Sequence, residues 1–379
     1  MYPSFSEAEF SRRYTTVREA MRDAELSALL IYNTPSSYNE VLYLSNFITT
    51  RDSFLVFPTE GEPTLFIQMF NHLPNARKVA SIADVRWGGP DSATTVAENL
   101  RERGLENSRI GLVGPISFKH YDVLRRTLPH ITLLDFTSQF SHLRLIKSEE
   151  EIAFLRRGAQ FSDLAIEALE QQVRPGITEN DLTAIVERAY LHLGGKNHIH
   201  YMGTTPMSNP DLCVPAQLQS NRILQAGDVL ITEISAHYHG YTGQILRPFA
   251  IGTPPSPAYM HMYEGAVETI NRIANVIRPG ATSEEVLDAA DYIHHAGFTI
   301  CDDLLHGFGG GYLRPVLRTR RTSAKPPETF VFRENMVIVI QPNVITEDER
   351  MGIQVGEMMR VKPDGIESLH RYPMRFIQS

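Results

Sequence analysis

The sequence predicts an α/β chain in two parts, and three observations carry that prediction. Short apolar runs alternate with amphipathic stretches as far as about residue 140. A capping-box signature then opens a long helical pattern. Farther on, an Arg-Pro-Gly segment occurs twice. These place one domain over residues 1–142 and a second over residues 143–379.

In the first domain, Leu26–Tyr32, Ser53–Phe57, Thr64–Ile67, Ile110–Val113 and Ile131–Asp135 read as strands bounded by Pro, Gly and Asn. Helical stretches fall near 7–24, 92–104 and 117–127. This alternation implies a mixed or parallel sheet flanked by helices. The second domain begins near Arg144-Leu-Ile-Lys147. Ser148-Glu-Glu-Glu151 has capping-box spacing, and Ile152, Leu155, Ala159, Ile166 and Leu169 follow at helical intervals until Pro175 and Gly176 stop the helix. Arg174-Pro-Gly-Ile-Thr178 recurs as Arg278-Pro-Gly-Ala-Thr282, an offset of 278 − 174 = 104 residues. Each copy lies between two helices and leads to an apolar strand ending in a polar residue, Glu233 in the first and Gln341 in the second. The parallel spacing implies a pseudo-twofold αβ domain with a pocket between its halves, where polar strand residues converge.

Composition narrows the function classes. An apolar share of 42% supports a sizeable core without staples. Net charge is −8 with both signs interspersed, and the basic group Arg318, Arg320 and Arg321 is short, reading as a surface loop or pocket rim; no nucleic-acid partner is expected. No apolar run approaches the roughly 18 residues of a membrane span, so no membrane partner is expected either. Glu7, Glu9, Arg12 and Arg13 make the N-terminus unlike a signal peptide. Cys213 and Cys301 cannot make a disulfide framework and lack metal-site spacing, so a cytoplasmic location is expected. The run Gly309–Gly311 lacks the Lys-Ser/Thr ending of a phosphate loop.

Several motifs occur in a telling order. They are Tyr43-Leu-Ser-Asn-Phe47, Arg144-Leu-Ile-Lys147 with Glu150 and Glu151, and Glu233-Ile-Ser-Ala-His-Tyr-His-Gly240 leading to Gln244 and Arg247. His306-Gly-Phe-Gly309, Asn335-Met336 leading to Gln341-Pro342, and Gly352-Ile-Gln-Val-Gly356-Glu357 follow. As an ordered set covering almost the whole chain, they resemble the prolidase, methionine aminopeptidase and creatinase superfamily (peptidase M24, the pita-bread fold). The resemblance implies a creatinase-type N-terminal α/β domain followed by a pseudo-twofold pita-bread domain. Members with a two-metal centre place Asp, Asp, His, Glu and Glu where this chain has Glu233, Gln244, His306, Gln341 and Gly356. A second family histidine, seven residues past the first, is Leu313 here, and Cys213 falls near the place of the inter-repeat histidine. Amide oxygens are poor sole ligands for zinc, cobalt or manganese. No metal and no cofactor are therefore expected, although Glu357 turned into the place of Gly356 would leave a single weak site.

The resemblance extends to two branches that dispense with metal, creatinase and the ectoine hydrolases, which cleave C–N bonds in small charged substrates by acid–base chemistry. It implies a homodimer in which Arg51, just before the strand Phe54–Phe57, reaches from one N-domain into the partner's site. His306 is the candidate general acid/base, since an imidazole exchanges protons near neutrality and contributes about 10²–10⁴-fold when positioned. Its glycine-rich surroundings read as a loop. Glu233 reads either as a strand-end carboxylate paired with Arg247 or as a group holding a cation or tuning His306. Gln244 and Gln341 would orient an uncharged substrate group. His198, His200 and Tyr201 alternate as on a strand, so the two histidines share a face and either line the pocket or are satisfied structural groups. Arg314 and Arg318 would clamp an anionic end or lie in a solvated loop.

The expected function is a metal-independent, creatinase-like hydrolase cleaving a C–N bond in a small polar metabolite, and not a typical aminopeptidase. His306 and Glu233 would be catalytic; Gln244, Gln341, Arg51, Arg314, His198, His200, Tyr201 and Glu357 would bind substrate. A lyase or isomerase using the same histidine and a non-catalytic pseudo-peptidase binding a peptide or protein partner are the alternatives.

Overall fold

The computed structural model describes residues 2–326 and 329–379, which form two compact units, Met1–Arg144 and Leu145–Ser379. In the N-terminal unit the strands are β1 (Ala28–Asn33), β2 (Ser53–Pro58), β3 (Thr64–Ile67), β4 (Asp84–Trp87), β5 (Arg109–Val113) and β6 (Thr132–Asp135). The helices are α1 (Glu7–Asp23), α2 (Asn39–Ser45), α3 (Leu73–Val79), α4 (Ser92–Glu102), α5 (Phe118–Thr127) and α6 (Thr137–Leu143). The sheet order is β4-β3-β2-β1-β5-β6. It is mixed, as expected: β1–β2 and β2–β3 are antiparallel, the other pairs parallel. Its central strands are apolar on both faces because both are covered. Leu29, Ile31, Leu55 and Phe57 pack with Val17, Met21 and Phe140, while Leu30, Tyr32, Phe54 and Val56 pack with Val96, Leu100 and Leu124. β4 escaped the sequence reading because only Val85 among its four residues is buried.

The C-terminal unit opens with α7 (Glu149–Gln172) and α8 (Glu179–Tyr190), followed by β7 (Lys196–Pro206), β8 (Asp228–Tyr238), β9 (Tyr241–Leu246) and β10 (Phe249–Ala250). The second half repeats the plan with α9 (Pro257–Val276), α10 (Ser283–Ala290), α11 (Tyr292–His295), β11 (Thr299–Ile300), β12 (Leu305–Gly309), β13 (Gly311–Leu317) and β14 (Val337–Ile340). It ends with β15 (Asn343–Ile345), β16 (Gly352–Gln354), β17 (Gly356–Lys362), β18 (Gly365–Ser368) and β19 (Ile377–Gln378). One sheet runs β13-β12-β14-β17-β9-β8-β10-β19, with β7 added on β8 and β18 on β17; β11, β15 and β16 form a small sheet.

The internal duplication is visible bond by bond. Thr178 and Thr282 both cap their helices in full capping boxes, with Asp181 and Glu285 as partners. Gly176 N–H donates to the Leu224 carbonyl at 2.9 Å, and Gly280 N–H to the Phe332 carbonyl at 2.9 Å. Glu233 and Gln341 each come nine residues later (233 − 224 and 341 − 332). Helices α7 and α8 bury one half of the sheet through Phe161, Ile166, Leu182, Ile234 and Ile245; α9 and α10 bury the other through Ile270, Val286, Ile338 and Ile340. No helix among the described residues is long and apolar enough to cross a membrane.

Candidate active site

The strand registers of the C-terminal sheet decide which side chains meet. Paired residues on neighbouring strands point to one face, and successive residues alternate. Tyr201 pairs with Glu233, Ser235 with Gln244, Leu246 with Gly356, Met358 with Val339 and Val339 with His306. Tyr201, Glu233, Gln244, Gly356, Gln341 and His306 therefore share the face opposite to the helix-covered one.

A chain of polar contacts joins them. The Gln244 carboxamide nitrogen donates to Glu233 Oε1 at 3.0 Å and to Gln341 Oε1 at 2.6 Å. Gln341 Nε2 in turn donates to the Asp303 carbonyl at 3.3 Å. Glu233 opens onto a cavity of about 390 Å³ whose walls include Tyr201, Gln217, Cys301, Asp302 and Tyr312. Among the described residues, no basic side chain lines it. Burial, with the neighbouring Asp302 charge, pushes the Glu233 carboxyl up to about 8, and burial raises Asp302 as well.

His306 stands behind this cavity and not on its wall. It is fully buried on β12, in a strand and not a loop, which corrects the expectation drawn from its glycines. Those glycines serve close packing: a Cβ on Gly307 would run into the Arg314 backbone across the β12–β13 pair. The Tyr312 ring stacks on the imidazole at 3.8 Å between centroids and 19° between planes, and Phe308 meets its edge at 5.2 Å. His306 Nδ1 bonds the Gly307 carbonyl at 3.1 Å, whereas Nε2 has no hydrogen bond of good geometry. Burial pulls the imidazole down to about 4; the Gly307 carbonyl, the nearby Gln341 side chain and the Asp303 charge pull the other way.

Several expected site residues lie elsewhere. His200 pairs with Ile234, on the core face, where its Nε2 meets the Tyr190 hydroxyl at 2.6 Å; it is structural and off the cavity. His198 sits at a register shift between Asn197 and Ile199, which removes the simple alternation with His200, and its ring neighbours Phe308. Glu357 pairs with Ile245 and Ile340 on the helix-covered face and is ion-paired with Arg247, so it does not face the cavity. The buried Arg247 guanidinium also donates to the Leu246, Gly356, Tyr372 and Pro373 carbonyls, which removes the expected pairing with Glu233. Arg314 is half-buried on β13 and off the cavity wall. Arg51 is exposed just before β2 in the N-terminal unit. The sequence reading missed Asp302 and Tyr312; the acidic pair Asp302-Asp303 just before His306 was the available signal.

These residues do not fit a two-metal centre. The only carboxylate at the five positions is Glu233, and a donor NH₂ group stands between its oxygen and that of Gln341. A Cβ on Gly356 would overlap the Ile340 carbonyl oxygen and stand 2.8 Å from Gln341 Cα, leaving no room for a side chain there. Among the described residues, no group of three or more His, Cys, Asp or Glu is placed to hold a metal ion.

The pattern of metallopeptidase family M24 matches residues 153–363, and that of the creatinase/prolidase N-terminal domain matches residues 13–146. An uncharacterized hydrolase/peptidase of Sinorhizobium fredii, y4tL, is 27% identical over 97% of this chain and 96% of its own. A creatinase of a Bacillus species is 23% identical over 98% of this chain and 92% of its own. The prolidase structure from Thermococcus sibiricus superposes with a TM-score of 0.84 at 19% identity, covering 100% of both chains.

Proposed function

Because this chain belongs to metallopeptidase family M24, we propose that it is a hydrolase which has given up the paired metal ions and cleaves a C–N bond in a small polar metabolite. One observation carries this reading: the Gln244 NH₂ group fills the space between the Glu233 and Gln341 oxygens, where a bridging cation would need acceptors alone. Protons then do the work. At neutral pH Glu233, raised to about 8, holds its proton and can give it to a departing nitrogen. His306 is neutral, its Nε2 makes no hydrogen bond of good geometry, and it accepts a proton from water once the Tyr312 ring swings aside. Gln244 fixes the carboxyl in place and is itself held by Gln341. Asp302 and the Tyr201 ring receive the cationic part of the substrate, since no basic side chain among the described residues lines the cavity beside them. The likeness to a creatinase over nearly the whole chain supports a small substrate. Arg51 of a second copy holds the anionic end in a cytoplasmic homodimer.

The test is a turnover screen of ureas, amidines, cyclic amidines and N-acyl amino acids in the presence of a chelator, with elemental analysis of the purified protein. Turnover that persists with chelator and disappears in His306→Ala supports the reading. Activity that demands manganese or zinc, or stoichiometric metal in the protein, overturns it.

The burial of His306 under Tyr312 favours a second reading, a cleft that binds a peptide or protein partner without turnover. Partner binding that survives His306→Ala, with no reaction on any of these compounds, would select it.

A further inference from the structure

Cys213 and Cys301 take no part in the chemistry above and lie 301 − 213 = 88 residues apart. The small sheet brings them together. Ile300 pairs with Val344, so Cys301, the next residue, comes alongside Asn343. Cys213 lies against β16, so closely that a Cβ on Gly352 would overlap its carbonyl group. The Asn343 side chain spans the two: its Oδ1 accepts from Cys301 Sγ at 3.1 Å, and its Nδ2 donates to the Cys213 carbonyl at 3.1 Å. The two thiols are also near enough to shift each other's proton affinity. Both are half-buried. Cys301 lines the cavity that holds Glu233, and so do Val214 and Pro215, which follow Cys213.

We propose that Cys213 and Cys301 are a dithiol which a hydroperoxide closes to an intrachain disulfide, clamping two walls of the Glu233 cavity together. The Cys213 sulfur attacks the terminal peroxide oxygen and breaks the O–O bond, leaving a sulfenic acid; the displaced hydroxide takes the thiol proton and departs as water. The Cys301 sulfur then displaces hydroxide from the sulfenic sulfur. The S–S bond forms, and the Cys301 proton leaves with that hydroxide as a second water. With hydrogen peroxide the two thiols lose two electrons in all, and the peroxide is reduced to two waters. Cys213 goes first because burial raises the Cys301 thiol further, to about 12. Burial raises both thiols, Cys301 to about 12, so closure is slow at neutral pH and quickens with alkalinity. The same basicity makes each sulfur a poor leaving group, which protects the disulfide once formed.

The full-length protein is exposed to hydrogen peroxide, alkylated, digested without reductant and mapped by mass spectrometry. The expected result is a Cys213–Cys301 peptide pair from single chains, formed about tenfold faster at pH 8 than at pH 7. It comes with a Tm roughly 5 °C above that of the reduced protein. Cys213→Ser and Cys301→Ser each form no such linkage and gain no Tm. Recovery of both cysteines as separate alkylated peptides, linkage only between chains, sulfinic acid without the linked pair, or a linked pair with unchanged Tm would each overturn the proposal.

Discussion

Glu233→Gln is the perturbation that separates a buried, proton-holding carboxyl from an ordinary one. In the unfolded chain this carboxyl titrates near its usual 4.5, and in the folded protein near 8. The folded state therefore binds the proton more tightly, and stability is lost as pH rises between these two values. Each pH unit of difference is worth about 1.4 kcal/mol, so the loss is about 3 kcal/mol by pH 7 and about 5 kcal/mol above pH 8. Below pH 4.5 both states are protonated and no cost arises. Glutamine keeps the shape and can still accept from Gln244 Nε2, but it has no proton to lose. Urea unfolding at pH 5, 7 and 9 reads the effect. The wild type should weaken steadily toward alkaline pH, and Glu233→Gln should be flatter and more stable than the wild type at pH 9. Parallel pH profiles for the two proteins would refute the burial argument and, with it, the assignment of Glu233 as an acid at neutral pH.

The His306 ring, drawn down to about 4, should show a C2-proton NMR shift that stays flat from pH 8 to pH 5; titration near 6.5 would mean that the imidazole is not enclosed by Tyr312. Gly356→Glu, which restores the family's carboxylate by sequence, should destabilise by about 3 kcal/mol or more and bind no manganese; a soluble variant with unchanged Tm would contradict the overlap with the Ile340 carbonyl. Arg247→Lys should cost about 3–5 kcal/mol, read as a fall in Tm, because an ammonium cannot serve the Glu357 carboxylate and four carbonyls at once; near-wild-type stability would show that the fork geometry is dispensable.

Much of the architecture was written in local pattern. The apolar runs Leu26–Tyr32 and Ser53–Phe57, the capping box at Ser148 and the twin Arg-Pro-Gly stops each correspond to observed elements, because period, caps and breakers act over a few residues. The placing of Glu233 and Gln341 as counterparts in two halves was also legible, since duplicated backbone segments make duplicated hydrogen bonds.

Which side chains face one another was settled only by the tertiary structure. A one-residue change of strand phase moves a group from cavity to core, and no local pattern records such a shift. The irregularity near Asn197 and Ile199, with the pairing of His200 and Ile234, sends His200 to Tyr190 and leaves Tyr201 beside Glu233. Register likewise turns Glu357 toward Arg247 and away from the cavity. The raised Glu233 carboxyl and the meeting of Cys213 with Cys301 arise from groups far apart in the chain. Composition supplied the residues; burial and long-range pairing gave them their chemistry.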